Sequence, residues 1–367
     1  MRAMKVLAVL EAGDRIPSGV VRALIYKDLF ARDGLDVEFV ARQPLAARDF
    51  VSNPPRILRR IVWRQRVQKY ILRKAEMRCE AEIVRKSAGV DIVYLSKVTS
   101  LPFYRTLRAA TTARIILDFG DAVWLYDEGR KEADFQEVLR IVDSVTTDNE
   151  ATADYVRRFN ANCTVIPDSP QLEEFDRRRA ANPKRTSDQT VLGWIGTPST
   201  LYNLYAIWEA LEEIGSRFPN VVLRIVGAGY DPALWPAFEN IRYSICPTYD
   251  QSTMIDEIFG MDIGLFPLQN VTRSRVRGVL KAAVYMSGEA AVVASPVGQV
   301  KDVIVHEENG LLATTEVEWV AALERLILDA EFRRSLTAAG LETVRRDFTT
   351  QRSWTLLRDV LLGKRTG

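Results

Sequence analysis

The stretch LKAAVYMSGEAAVVASPVG, residues 280–298, decides the fold class of this chain. It predicts an apolar helix with a lone lysine near its start, a break at Gly288, a buried strand and a tight Ser-Pro-Val-Gly turn. A helix followed by a wholly apolar strand is typical of a parallel sheet that helices cover on both faces. The same alternation recurs along the chain, so we predict an α/β protein.

The chain has 367 residues, which suits two domains better than one. Strand and helix patterns alternate from KVLAVLE to CTVIPDSP, stop at the apolar-poor segment RRRAANPKRTSDQ and restart at TVLGWIG. We therefore predict a Rossmann-like domain over residues 1–170, a linker over 171–187 and a second Rossmann-like domain over 188–345. A final helix within 346–367 is expected to pack back toward the first domain.

Composition excludes several function classes. The net charge of +2 gives no indication of a nucleic-acid partner, and the three cysteines lie far apart. With a single histidine in the chain, we predict no metal site and no Ser-His-Asp triad. Neither a P-loop nor a G-x-G-x-x-G motif is present. The first apolar run is too short for a signal peptide, so we expect a cytoplasmic protein.

Small residues follow three predicted strands of the second domain. Parallel sheets bind ligands beyond the carboxyl ends of their strands, and small side chains there let backbone N–H groups approach an anion. The alternative is that these are ordinary turns, but three in one domain favour a phosphate-bearing ligand. The residues concerned are Gly196, Thr197, Ser199, Gly227, Ser295, Val297 and Gly298.

Two cations stand near the start of the predicted helix. Arg277 and Lys281 are four residues apart, which predicts a shared helix face. A guanidinium and an ammonium beside glycine-bearing turns suit a diphosphate, and both groups are candidates for transition-state stabilisation. The alternative is a solvated basic face.

The first domain offers carboxylates and small residues at its own strand ends. Asp118 and Asp121 follow the strand in ARIILDF, where they are candidates for sugar binding or acid–base catalysis. The alternative is that they form a turn or cap a helix. Gly13, Ser18 and Gly19 follow the first strand and, together with Asp118, form the predicted acceptor and sugar side.

Residues 56–74, RILRRIVWRQRVQKYILRK, contain eight Lys and Arg residues and no acid. Apolar residues recur at near-helical spacing within this segment. A basic amphipathic helix is typical of proteins that contact an anionic membrane surface or another anionic partner. The alternative is a helix that packs on the core and exposes a solvated basic face.

Taken together, these motifs resemble retaining GT-B glycosyltransferases of glycosyltransferase family four, the glycosyl transferases group 1. The resemblance is carried in the second domain by LGWIGTPSTLYNL, DIGLFPL, RGVLKAAVYMSGEAAVVASPVG and VIVHEENGLLA. In the first domain it is carried by ARIILDFGDAVWL and CTVIPDSPQLEEF. It implies two Rossmann-like domains facing a cleft, with a nucleoside diphosphate sugar in the second and an acceptor in the first.

The resemblance also implies roles for individual residues. Lys281 would contact the diphosphate with Arg277 as a helper, and Gly196 and Thr197 would line the phosphate and sugar region. The segment 295–298 would form part of the donor-pocket wall. The base would be cradled by two residues that follow another predicted strand, Pro247 and Tyr249.

The sequence departs from the family pattern at the ribose. Val284 stands where the family has a ribose-binding glutamate, and Val276 stands at a second glutamate position. Glu289 occupies the position of a glycine. Either Glu289 supplies the missing carboxylate, or it is a surface residue. The histidine common near the sugar in the first domain is also absent, and Asp118 or Asp121 lies in that neighbourhood.

We predict an enzyme that moves a sugar, of the hexosyl or a related class, from a nucleoside diphosphate sugar to an acceptor hydroxyl without a metal or cofactor. Retention is implied by the resemblance alone. The acceptor is a glycan, a lipid carrier or a small molecule, and peripheral attachment at the inner membrane face through residues 56–74 is an open alternative. The competing functions are a catalytically degenerate GT-B protein that binds a nucleotide or partner, and a GT-B sugar-nucleotide epimerase or phosphorylase.

Overall fold

The computed structural model describes residues 3–13, 17–181 and 188–364. The chain forms two compact units. The first comprises Met1–Ile166 and Trp354–Gly367, and the second comprises Pro167–Ser353.

The first unit is built on a six-stranded parallel sheet of order β2-β1-β3-β4-β5-β6. Its central strands are apolar and wholly buried, as strands covered on both faces must be. The strands are β1 (Met4–Leu10), β2 (Leu35–Ala41), β3 (Ile92–Ser96), β4 (Arg114–Asp118), β5 (Ser144–Thr147) and β6 (Cys163–Val165). The helices between them are α1 (Pro17–Arg22), α2 (Lys27–Arg32), α3 (Leu45–Ser52), α4 (Arg59–Val62), α5 (Gln65–Ser87), α6 (Leu101–Ala110), α7 (Glu132–Ile141) and α8 (Glu150–Arg157).

The second unit holds another six-stranded parallel sheet, of order β12-β11-β10-β7-β8-β9. The strands are β7 (Thr190–Ile195), β8 (Val221–Val226), β9 (Arg242–Cys246), β10 (Ile263–Phe266), β11 (Ala291–Ala294) and β12 (Leu311–Leu312). The helices are α9 (Leu172–Ala181), α10 (Tyr202–Tyr205), α11 (Trp208–Arg217), α12 (Gln251–Phe259), α13 (Thr272–Arg275), α14 (Leu280–Ser287), α15 (Val300–Val303), α16 (Glu316–Leu328) and α17 (Ala330–Asp347). The last helix, α18 (Thr350–Leu361), begins in this unit and belongs to the first unit from Trp354 onward.

The direction of strand progression reverses between β7 and β10. From β7 the chain builds outward through β8 and β9, and then crosses to the other side of β7 to add β10, β11 and β12. Open α/β sheets bind ligands at such a switch point, beyond the carboxyl ends of the strands. We therefore expect a ligand site at the carboxyl ends of β7 and β10.

The last helix completes the core of the first unit. The Trp354 indole is fully buried, with its ring centroid 4.8 Å from that of Phe30. Its Nε1–H donates to the Asp33 carboxylate at 2.8 Å. Arg114 donates to the carbonyls of Val360 and Leu361 at 3.0 Å each. The segment from Trp354 onward thus packs as part of the first unit.

The predicted linker over residues 171–187 is corrected by the structure. Residues 172–181 form α9, and Leu172 and Phe175 are buried in the core of the second unit. These two residues are three apart, so they share one face of the helix. The charged residues around them masked this short apolar signal. Residues 182–187 lie outside the described part of the chain.

The basic segment 56–74 is not one continuous helix. A 3-10 turn over Arg56–Leu58 leads into the short α4, and α5 begins at Gln65. Among the helices that the structure describes, none combines the length and apolarity that a bilayer span requires.

Candidate functional site

The Tyr285 side chain stands between β7 and β10 at the switch point. The two strands pair at Ile263 with Leu192 and at Gly264 with Gly193. One step further, the Tyr285 hydroxyl accepts a hydrogen bond from the Ile195 N–H at 2.9 Å and donates to the Leu265 carbonyl at 3.1 Å. The hydroxyl thus bridges backbone groups of the two strands.

Glycine makes room for this bridge. A Cβ on Gly264 would lie 2.4 Å from the Tyr285 ring, and a Cβ on Gly193 would lie 2.0 Å from the sulfur of Met261. Real Cβ atoms do not approach other heavy atoms this closely, so both strand positions require glycine while Tyr285 and Met261 keep their places. The two glycines face each other in the register and mark the switch point.

Lys281 lies one helical turn before Tyr285 on α14 and is partly buried. Its Nζ sits 5.0 Å from the centroid of the Trp194 ring. Burial, with a smaller contribution from the charge of Arg277, lowers the pKa of Lys281 to about 7. Within the described part of the chain, no carboxylate pairs with this ammonium. A desolvated cation without a counter-ion is suited to bind an anion.

Arg277 does not share a helix face with Lys281. Residues 277–279 are non-helical, and α14 begins at Leu280. The prediction of a common face was therefore wrong, because the Gly278 position separates α13 from α14. The charge of Arg277 nevertheless reaches Lys281, since it contributes to the lowered pKa of that lysine.

The loops after β7, β8 and β9 meet through glycine backbone. Gly227 has a φ of +86°, and a Cβ there would lie 2.1 Å from the Gly196 carbonyl and 2.7 Å from the Tyr249 ring. Gly229 donates its N–H to the Pro247 carbonyl at 2.8 Å. The predicted residues Gly196, Gly227, Pro247 and Tyr249 are thus brought together at the carboxyl ends of these strands.

Two hydroxyls are exposed at the same end of β7. Thr197 caps the 3-10 turn Pro198–Thr200, and its N–H donates to Oγ1 of Thr200 at 3.0 Å. The Thr197 and Ser199 side-chain oxygens lie 3.0 Å apart. Both hydroxyls are exposed, so they are available to a polar ligand.

The turn after β11 closes against α13. Ser295 accepts the Leu268 N–H through Oγ at 3.0 Å, which holds the loop after β10. Gly298 has a φ of +61°, and a Cβ there would lie 2.7 Å from the Arg275 carbonyl. Val297 between them is buried. The three predicted residues therefore shape this turn, and Ser295 keeps a hydroxyl hydrogen to donate.

Glu289 lies at the amino ends of the strands, whereas Lys281 lies at their carboxyl ends. It follows the end of α14 and precedes β11, so it stands at the amino ends of the strands. Eight helical residues, about 12 Å of axis, separate the two ends of α14. The Glu289 carboxylate lies 3.2 Å from Nε of Arg179. Of the two alternatives for Glu289, the structure favours the second, because its carboxylate pairs with Arg179 of α9 and lies far from Lys281.

Asp118 is a buried structural carboxylate rather than an acid–base group. It is 1% exposed and accepts from Arg22 through Nε at 2.9 Å and Nη2 at 2.7 Å. Thr146 and Ser96 hydroxyls lie 2.6 and 3.3 Å from its oxygens. These donors surround the carboxylate and remove it from contact with a substrate. The acid–base and sugar-binding predictions for Asp118 are therefore corrected.

The remaining first-unit predictions fall at the ends of β1 and β4. Asp121 is 40% exposed and forms an ion pair with Lys97, whose φ of +62° is unusual for a non-glycine residue. Gly13 has a φ of +61°. Its carbonyl oxygen would lie 2.1 Å from a Cβ on Gly19, so there is no room for a side chain at Gly19. The side chain of Ser18 lies outside the described residues.

Sequence analysis missed Trp194 and Tyr285. Tyr285 has a visible signal, because it follows Lys281 by four residues on an apolar helix and two strand glycines accompany it. Within the described residues, no group of three or more His, Cys, Asp or Glu side chains is arranged to hold a metal ion.

The second unit is similar in sequence to known proteins. Residues 189–329 match the model of the family described as glycosyl transferases group 1. A 169-residue stretch is 30% identical to glycosyltransferase 1 domain-containing protein 1 of Xenopus tropicalis. That alignment covers 44% of this chain and 44% of the relative, so it spans under half of that protein.

Solved structures share the fold of the whole chain. Anabaena HepE in complex with UDP superposes with a TM-score of 0.64 at 14% identity, covering 98% of this chain and 100% of that one. Sucrose-phosphate synthase from Thermosynechococcus elongatus gives 0.67 at 15% identity, with coverages of 98% and 100%. An alpha-glucosyltransferase in complex with UDP gives 0.67 at 10% identity, with coverages of 98% and 100%. The two parallel six-stranded sheets of this chain therefore have the GT-B fold.

Proposed function

We propose that this chain, which has the GT-B fold and matches glycosyl transferases group 1 over residues 189–329, transfers a sugar from a nucleoside diphosphate sugar to an acceptor hydroxyl. The observation that carries the proposal is Lys281. It is a desolvated cation with a pKa of about 7, and it lies beside the switch point of a parallel sheet.

The diphosphate would be held by the two cations and by small backbone turns. Lys281 and Arg277 offset negative charge on the phosphate oxygens, and the loops at Gly196 and Gly227 allow close approach of the backbone. The lowered pKa of Lys281 supports this role, because an anion beside it would favour the ammonium form that burial disfavours. UDP is the first nucleotide to test, since several of the similar structures are complexes with UDP.

The chemical role of the site is stabilisation of the leaving group. As the bond from sugar to diphosphate breaks, negative charge accumulates on the diphosphate, and preorganised cations stabilise that charge most strongly. We propose that the reaction needs no metal and proceeds with retention. A diphosphate oxygen on the same face of the sugar would take the proton of the attacking hydroxyl. The acceptor is a glycan, a lipid carrier or a small molecule.

A second candidate is a catalytically degenerate GT-B protein that binds a nucleotide without turnover. Val284 favours it, because an aliphatic side chain cannot replace the ribose-binding carboxylate that the resemblance implies. The structure of Glu289 adds to this, since its carboxylate lies at the other edge of the sheet.

One experiment separates the candidates. The protein is incubated with UDP-, GDP-, ADP- and dTDP-sugars with and without EDTA, and free nucleoside diphosphate is measured. Release that persists in EDTA and disappears in Lys281→Ala supports the transferase. A changed sugar on an intact nucleotide indicates an epimerase, and a thermal shift without release indicates a binding protein.

A further inference from the structure

Large apolar side chains are exposed between the 3-10 turn that precedes α4 and the first turns of α5. Ile57 is 87% exposed, Ile61 is 55% exposed and Trp63 is 54% exposed, while Tyr70 on the following helix is 60% exposed. Single exposed apolar residues are common on soluble proteins, but a group within one short segment marks an interaction surface. We call these four residues, together with the six described cations named below, the basic apolar face.

The face is held in place by the unit beneath it. Val62, the last residue of α4, is 4% exposed, so this end of the helix is anchored while the adjacent Ile61 and Trp63 are exposed. The Arg59 guanidinium lies 5.4 Å from the Trp63 ring centroid, and the Lys74 ammonium lies 4.9 Å from that of Tyr70. The exposed aromatic rings are therefore flanked by cations on a folded scaffold.

The charge of the face has one sign. Segment 56–74 contains eight Lys and Arg residues, and no Asp or Glu occurs from residue 50 to residue 75. Six of those cations have side chains within the described part of the chain, and none of the six forms an ion pair there with a carboxylate. They are Arg59, Arg64, Arg66, Lys69, Arg73 and Lys74. The partner that complements this face is anionic.

We propose that the basic apolar face docks on an anionic phospholipid bilayer. Such a bilayer offers anionic headgroups to the cations and, just beneath them, an acyl region for aliphatic and aromatic side chains. A second copy of the chain is disfavoured because two like-charged faces repel. A nucleic acid would meet the cations and Trp63, but it offers nothing to Ile57 and Ile61. The proposal stands independently of the donor site.

The test is co-sedimentation of the full chain with vesicles. Vesicles of phosphatidylcholine alone are compared with vesicles of equal parts phosphatidylcholine and phosphatidylglycerol, at low and high salt. We expect binding to the anionic vesicles that weakens with salt. The double variants Ile57→Ser/Trp63→Ser and Arg64→Gln/Lys69→Gln should each lower the partition coefficient by about tenfold or more.

Matched controls are available elsewhere on the molecule. Tyr230 is 75% exposed in the second unit, and the Arg85 side chain is 75% exposed on α5, outside the face. Tyr230→Ser and Arg85→Gln should bind the anionic vesicles like the wild type. Thermal unfolding of each variant is measured to check that it is folded.

Three outcomes would overturn the proposal. Equal partition of the wild type into neutral and anionic vesicles would remove the charge argument. Loss of dimer in Ile57→Ser/Trp63→Ser during analytical ultracentrifugation would assign the face to a second copy. Tighter binding to a duplex oligonucleotide than to vesicles, abolished by Arg64→Gln/Lys69→Gln, would assign it to nucleic acid.

Discussion

The hydroxyl of Tyr285 lies 2.9 Å from the backbone nitrogen of Ile195 and joins it to the Leu265 carbonyl of the neighbouring strand. A helix side chain thus takes part in the hydrogen bonding between β7 and β10 at the edge where Lys281 stands. Tyr285, which bridges the strands, and Lys281, the proposed ligand of the diphosphate, lie one turn apart on α14. We therefore expect the proposed ligand binding to depend on the structural bridge made by the same helix.

Replacing Tyr285 tests this coupling. Tyr285→Phe leaves the buried Ile195 N–H without its acceptor, so we expect a loss of about 1–3 kcal/mol in the free energy of unfolding, measured by denaturant titration. We also expect weaker nucleoside diphosphate binding, because the strands that carry Trp194 and Gly196 lose their bridge. Tyr104→Phe is the control, since its hydroxyl donates to the Val98 carbonyl in the first unit at 3.1 Å. Unchanged binding in Tyr285→Phe would contradict the coupling.

Lys281→Met should change stability and binding in opposite directions. Burial of the ammonium destabilises the unliganded fold at neutral pH, so removing the charge should raise the free energy of unfolding by about 1–3 kcal/mol. Nucleoside diphosphate affinity should fall by about 1.5–3 kcal/mol, the range for a lost hydrogen bond to a charged group. Lys301 on α15 is exposed, and Lys301→Met should do neither. Calorimetry and denaturant titration give the two quantities, and an unchanged affinity in Lys281→Met would remove the donor-site assignment.

Nucleotide affinity should depend on pH above neutrality. The free protein has a Lys281 pKa of about 7, and a bound diphosphate raises it, so binding takes up a proton between the two values. The contribution of Lys281 to affinity is therefore complete below pH 7 and falls as pH rises from 7 toward the pKa of the bound state, by at most about tenfold per pH unit. Calorimetry in buffers of different ionisation enthalpy measures the proton uptake directly. Lys281→Arg should abolish the uptake because guanidinium stays charged, and persistence of the uptake in that variant would point to another group.

Glu289→Gln should leave ribonucleotide binding unchanged. The carboxylate lies beside Arg179 at the amino edge of the sheet, remote from Lys281 at the other end of α14. Since the pair is partly exposed, its loss should cost no more than about 1 kcal/mol of stability. Affinities for UDP and its dideoxy analogue are compared in both proteins. A selective loss for UDP in Glu289→Gln would restore Glu289 as the ribose ligand.

Asp118→Asn should lower the free energy of unfolding, because Asp118 is a structural residue. The substitution leaves Arg22, which is 4% exposed, without a full counter-charge, and breaking such a buried pair typically costs about 3–5 kcal/mol. Asp121→Asn, at a side chain that is 40% exposed, should cost less than about 1 kcal/mol. Denaturant titration separates the two variants. A fully stable Asp118→Asn protein that has lost turnover would instead support the acid–base role.

The fold was accessible from the sequence because its strands are short, apolar and regularly spaced. The alternation of strand and helix patterns predicts two α/β domains. Small residues after the strands predict that the candidate site lies at the carboxyl ends of the strands. The region 171–187 was misassigned because charged residues surround Leu172 and Phe175, so a helix with two buried residues has the composition of a linker. Local composition does not reveal which other element will cover a short apolar pair.

The site could be predicted only in part, because position along the chain does not give position in the sheet. Glu289 is eight residues from Lys281, yet the helix between them runs from the carboxyl ends of the strands to their amino ends. Asp118 stands at a strand end as predicted, but the burial of Arg22 beside it depends on packing between α1 and β4. Tyr285 was overlooked because a tyrosine on an apolar helix has the pattern of an ordinary core residue.

The place of Trp354 in the first unit has a consequence for the order of folding during synthesis. Its indole fills the core beside Tyr26 and Phe30, while the rest of that unit is complete at Ile166. The second unit, Pro167–Ser353, is continuous and is made in between. At ribosomal rates of about 5–20 residues per second, roughly 10–40 s pass between the synthesis of Ile166 and that of Trp354 and the core residues that follow it. The core of the first unit is incomplete during that interval, so we expect the second unit to be able to finish folding first.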